Sequence, residues 1–84
     1  MKKKLVGRHI VTDPNVCHGE PTFRGTRILV ADVLEQVAAG LVWEAIVEEW
    51  RGGVTQAAIG EAVRLASEAF REHVHELGLE PAAA

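Results

Sequence analysis

The chain has a single cysteine, no apolar stretch of membrane-spanning length, no excess of basic charge and no internal repeat. Each of these shortages removes a class of function. A lone thiol, Cys17, can close no internal disulfide, which excludes a secreted mini-protein held together by cross-links. The longest apolar runs, such as Ile28–Ala31, fall far short of the roughly 20 residues that a membrane helix needs. Met1-Lys2-Lys3-Lys4 is followed by no apolar signal core, so a soluble cytoplasmic protein with no membrane partner is expected. Eighty-four residues leave room for one domain. With 48% hydrophobic and 25% charged residues the composition suffices to fold. A chain this short buries only about 60% of its unfolded surface, however, and a partner or a homodimer is expected to cover part of the rest.

The net charge of −3 is unevenly placed. Residues 1–30 hold Lys2, Lys3, Lys4, Arg8, Arg24 and Arg27 against Asp13 and Glu20, whereas residues 31–84 hold three arginines against ten acids. A basic front end suits phosphate or an acidic protein site. The acidic remainder is repelled by nucleic acid and suits a protein contact.

Three regions follow from the pattern. In residues 1–30, Leu5 to Val11 is rich in β-branched residues and stops at Thr12-Asp13-Pro14-Asn15, which predicts one short strand and a turn. Thr22-Phe23 and Arg27–Val30 read as two further short strands in a hairpin-like region. Residues 31–78 are helical. A first helix over about 31–39 presents Val33, Leu34, Val37, Ala38 and Leu41, with Gly40 at the left-handed C′ position. A second, from Trp43 to Trp50, buries Ile46, Val47 and Trp50, ends at Gly52-Gly53, and lacks a capping side chain at Val42. Thr55 caps a third, whose stripe of Ile59, Ala62, Val63, Ala66, Phe70, Val74 and Leu77 is continuous to Gly78. This helix is longer than a three-helix core of this size requires, so Phe70, Val74 and Leu77 are expected to pack on another chain. Residues 79–84 read as a frayed tail. The fold class is therefore mainly α: short N-terminal strands, then a three-helix bundle of helix-turn-helix outline with a long last helix.

Chemically the chain offers little for catalysis. Cys17 and His18 are adjacent, and His73 and His75 point about 200° apart on a helix, so neither pair is spaced to chelate a metal. No nucleophile–base order and no phosphate-cradling glycine loop opening a helix is present, and neither enzyme activity nor a cofactor is expected. The segment Gly19-Glu20-Pro21-Thr22-Phe23-Arg24-Gly25-Thr26-Arg27 is the densest cluster of special residues. It reads either as the conformational constraint of a turn or as a stiff mount for Arg24 and Arg27, whose guanidinium forks bind carboxylates or phosphates. As a recognition helix in a DNA groove, the second helix would carry Glu44, Glu48 and Glu49 toward phosphates, so Lys2, Lys3, Lys4 and Arg8 form the better nucleic-acid contact. Trp43 and Trp50 lie seven residues apart on one helix face and suit a protein interface more than base stacking.

The run from Ile10 to Val30, with Val33-Leu34 and Ala39-Gly40-Leu41, resembles the small bacterial and archaeal DUF433 family over about residues 8–66. Gly19, Pro21, Gly25, Thr26, Arg27, Ile28 and Gly40 carry the resemblance. The chain departs from the family's pattern at Glu20, commonly lysine there, at Val42-Trp43, in place of a Ser/Thr-Pro helix start, and at Arg51-Gly52-Gly53, in place of a Tyr-Pro turn. The family in turn resembles VapB-type antitoxins, with a homeodomain-like or winged-helix fold. The resemblance implies an antitoxin that neutralises a PIN-like ribonuclease toxin and binds operator DNA. On that reading Arg24 and Arg27, or the long third helix, meet a nuclease site rich in acidic residues. The alternative is a dimeric helix-turn-helix transcriptional regulator acting alone.

Overall fold

The computed structural model describes residues 3–77. Three strands, β1 (Lys4–Leu5), β2 (Ile10–Thr12) and β3 (Thr22–Phe23), precede three helices, α1 (Val30–Ala38), α2 (Trp43–Glu49) and α3 (Gln56–His73). The strands form one antiparallel sheet in the order β1-β2-β3, with Leu5 opposite Val11 and Ile10 opposite Phe23.

The segment Leu5–Val11, expected as one strand, is instead a hairpin. The chain reverses at Val6–His9, where the amides of Val6 and Gly7 both donate to the Ile10 carbonyl, at 2.9 and 3.1 Å. Glu61 of α3 locks this reversal by accepting the amides of Arg8 (2.8 Å) and His9 (2.7 Å). Gly7 permits the approach, because a Cβ there would stand 2.8 Å from the Glu61 carboxyl carbon. The expected strand at Arg27–Val30 is also corrected. Only Leu29 bridges to the sheet, opposite Thr22, and Val30 already opens α1. The helix starts there because Pro21, at the entry to β3, offers its carbonyl to the Val30 amide at 3.0 Å.

The helix ends follow local chemistry. After α1, Gly40 (φ 87°) lets its own amide reach the Val37 carbonyl and that of Leu41 reach Gln36, the paired bonds of a Schellman ending. The same pair closes α2, from Arg51 to Glu48 and from Gly52 to Val47, but here the left-handed position holds Arg51 (φ 52°). The Thr55 hydroxyl caps α3 by accepting the Ala58 amide at 3.1 Å, while Val42 gives α2 no such bond. α3 gives way at Val74 to a 3-10 turn over Val74–Leu77, one turn short of the expected Gly78. Gly78 and the tail over 79–84 lie outside the described residues, as does Lys2.

One core joins the sheet to all three helices. Ile10 and Phe23 on the inner sheet face meet Val33 of α1, Ile46 of α2, and Ala58, Ile59 and Ala62 of α3, with Val54 from the preceding loop. Ala38 and Leu41, expected on the buried face of α1, are exposed. Val33, Leu34 and Val37 fill the side of α1 toward the core, and Leu41 lies beyond the end of the helix. The outer sheet face carries Val11 and Thr22, both buried although neither belongs to the helical core.

Candidate functional site

The segment from Asp13 to Leu29 leaves β2, contributes β3 to the sheet and owes its path to left-handed residues. Gly19 (φ 83°) and Gly25 (φ 80°) adopt the positive φ expected of them, and Cys17 (φ 48°) and His18 (φ 58°) adopt it without being glycine. Two consecutive side-chain-bearing residues in that region cost about 1–2 kcal/mol each. The surroundings hold them there: Gly19 and Glu20 donate to Val16 and Cys17 carbonyls, and the Cys17 thiol reaches the Arg27 carbonyl at 3.5 Å. The next turn, Phe23–Ile28, is pinned by Thr26, whose hydroxyl donates to the Phe23 carbonyl (2.8 Å) and accepts the Ile28 amide (2.9 Å). Thr26 thus stiffens the loop that displays Arg24 and Arg27.

Between this loop and the sheet lies a cleft of about 460 Å³, lined by Lys3, Val11, Asp13, Val16, Thr22 and residues 24–27. Folding therefore brings Lys3, Arg24 and Arg27 together across a separation of more than twenty residues. Arg24 and Arg27 are exposed and make no ion pair among the described residues. Asp13, the cleft's one carboxylate, is engaged in accepting the Asn15 amide at 2.9 Å. Thr22 is 1% exposed, and its hydroxyl has no hydrogen-bond partner among the described residues. An unpaired buried hydroxyl costs on the order of 1–3 kcal/mol. Lys4 lies exposed on β1 and Arg8 at the hairpin tip, where its amide is bound to Glu61, and neither lines the cleft.

The other candidate surface is the end of α3. Beyond Ala62 and the half-buried Val63 and Leu65 the helix leaves the core, and Phe70 is 58% exposed. Ala66, Ala69, Phe70 and His73 line a shallow apolar groove, with Val74 half-buried beyond it. Leu77 ends the last turn, and its side chain lies outside the described residues. The two tryptophans are placed differently. The Trp43 ring lies over Gly60 of α3, and the Trp50 indole N–H donates to Gln36 Oε1 at 2.7 Å. Both pack half-buried against the chain's own core.

A sequence model of the family described as protein of unknown function (DUF433) matches residues 10–66, well over half of the chain. The chain belongs to the DUF433 family. No curated protein and no solved structure matches it. The DUF433 segment contains Gly19, Pro21, Gly25, Thr26 and Gly40, the whole buried core, and every residue of the cleft except Lys3. It ends at Ala66, where α3 leaves the core, so Phe70, Val74 and Leu77 lie beyond the DUF433 match.

Glu61 is the residue whose importance the pattern of the chain conceals. Burial pushes its carboxyl upward, but the bonds from the His9 and Arg8 amides, with His9 and Arg64 nearby, outweigh this and hold it below its ordinary value. The hydropathy stripe marks Glu61 only as a polar position beside the buried Ala62. Elsewhere on the surface, Glu44, Glu48 and Glu49 of α2 are all exposed, and no group of three or more metal-ligating side chains converges among the described residues. No described helix is long and apolar enough to cross a membrane.

Proposed function

We propose that this DUF433 protein is an antitoxin-like inhibitor: it binds a small metal-dependent ribonuclease of PIN-like type through the distal half of α3. The observation that carries this reading is the apolar groove of Ala66, Ala69 and Phe70 on a helix that has already left its own core. A rigid helix with one exposed aromatic anchor is suited to lie in a partner's groove, where buried aromatics dominate binding energy. Arg24 and Arg27, displayed on a stiff loop without ion pairs to the described residues, complement the carboxylates that gather around a catalytic metal. The acidic face of α2 stays in solvent on this reading.

A homeodomain-like or winged-helix arrangement belongs to the same proposal. It rests on α1 and α2 joined at Gly40, packed on α3 beside a small sheet. That arrangement also favours the second reading, a dimeric regulator binding operator DNA, with Lys3, Arg24 and Arg27 as its phosphate contacts. Glu44, Glu48 and Glu49 on the exposed side of α2 oppose insertion of that helix into a DNA groove.

The test is capture with the tagged chain from nuclease-treated host lysate, followed by a metal-dependent ribonuclease assay on what is recovered. The expected result is a near-stoichiometric small ribonuclease whose activity falls on adding the chain, with inhibition weakened by Arg27→Glu and lost with Phe70→Glu. If no ribonuclease is captured while the chain alone retains its upstream DNA in a salt-sensitive manner, the regulator reading replaces this one. Sedimentation of the chain alone assigns the groove: a monomer leaves it to the partner, and a dimer dissociated by Phe70→Glu gives it to a second copy.

A further inference from the structure

The outer face of the sheet carries a cleft of which the partner reading uses only the two arginines, Arg24 and Arg27. Three cations, Lys3, Arg24 and Arg27, ring a cleft whose one carboxylate, Asp13, already accepts a backbone amide. Thr22 lies in the same lining with a buried hydroxyl that nothing among the described residues satisfies. A protein that folds around an unpaired buried hydroxyl beside three cations lacks an acceptor at that place. We propose that the cleft over Val11 and Thr22 binds a small phosphate-class oxyanion, such as inorganic phosphate or a phosphate monoester.

The charge balance selects this class. Three cations against one carboxylate leave an excess of two positive charges, which a phosphate dianion matches and a single carboxylate ligand does not. Arginine forks offer paired N–H donors at the spacing of phosphate oxygens. An oxyanion that reaches Thr22 also gives its hydroxyl proton an acceptor, which none of the described residues supplies. The loop is pre-formed, since Thr26 binds the carbonyl of Phe23 and the amide of Ile28 in the same turn. No aromatic side chain lines the cleft, so recognition falls on the phosphate and not on a stacked ring. The concave site and the exposed carboxylates on α2 favour a small anion over a nucleic-acid backbone.

The test is a titration of the isotope-labelled full chain with inorganic phosphate, at ionic strength held constant with chloride, read by amide shifts. It uses the chain alone, so its outcome is separate from that of the ribonuclease assay. Saturable shifts confined to the cleft lining, residues 3, 11, 13, 16 and 22–27, are expected at millimolar phosphate, with acetate binding more weakly. Arg27→Gln, at an exposed position, weakens phosphate binding about tenfold or more, equivalent to about 1.4 kcal/mol. Thr22→Val keeps the shape, raises the thermal midpoint of the anion-free chain, and weakens phosphate binding. The proposal is overturned by an absence of saturable shifts, by shifts that survive Arg27→Gln unchanged, or by a short DNA duplex that occupies the same residues more tightly than phosphate.

Discussion

The two halves of α3 share a helix, a stripe and a spacing, yet they do different things. In the first half Ala58, Ile59 and Ala62 are buried against the sheet and the other helices. In the second, Ala66 and Phe70 continue the same stripe into solvent. Periodicity identifies which face of a helix is apolar. What covers that face depends on how far the rest of the chain extends, and here cover ends where the DUF433 match ends. The first half is therefore fold and the second is surface, and substitutions separate the two.

The largest effect is expected from Ile59→Ala. A fully buried side chain cut back to a methyl group leaves a cavity, and about 2–5 kcal/mol of stability is lost, measurable by urea unfolding. Phe70→Ala, although it removes a larger side chain, should shift the same curve by less than about 1 kcal/mol. A loss at Phe70 as large as that at Ile59 would break the comparison.

Glu61 sits on the first half and ties it to the hairpin. Glu61→Gln keeps the size but halves the acceptor capacity toward the Arg8 and His9 amides, and about 1–2 kcal/mol should be lost at neutral pH. Because the folded carboxyl is held below its ordinary value of 4.5, its contribution is complete above that pH. It fades as pH falls through the lower folded value. Acid unfolding should accordingly be shallower in Glu61→Gln than in the wild type. Equal slopes would show that the carboxylate does not link the hairpin to the helix. A gain is expected at the turn before α3, where Arg51→Gly relieves a left-handed residue (φ 52°) and should raise stability by about 1 kcal/mol in a thermal melt.

Much of the helical part was legible because its signals are local. Thr55 caps α3, Gly40 ends α1 in a left-handed turn, and the absence of a cap at Val42 is as expected. The hairpin was not, because Val6–His9 contains none of the Asn-Gly or Asp-Gly pairs that announce a tight turn. Its stabilising partner, Glu61, is more than fifty residues away, and Gly7 makes sense only once that carboxylate is in place. Val54 was missed for a similar reason: it lies in a loop and has no periodic neighbours, yet it is buried in the core cluster. At the cleft, Arg24 and Arg27 stood out as charged residues in a glycine-rich turn. Lys3 and the buried Thr22 hydroxyl join them only through the sheet's register, which places Thr22 opposite Val11 on its outer face. The tryptophans' spacing predicts one shared helix face, whereas Trp50 lies just past the end of α2 and donates to Gln36 while the Trp43 ring lies over Gly60.

The central claim is that the distal face of α3 serves a partner and not the fold. Phe70→Glu tests it most directly, with the thermal midpoint of the isolated chain and its inhibition of the captured ribonuclease measured on the same preparation. The account predicts a midpoint close to that of the wild type together with lost inhibition. A midpoint lowered as far as in Ile59→Ala, or inhibition that persists undiminished, would contradict it.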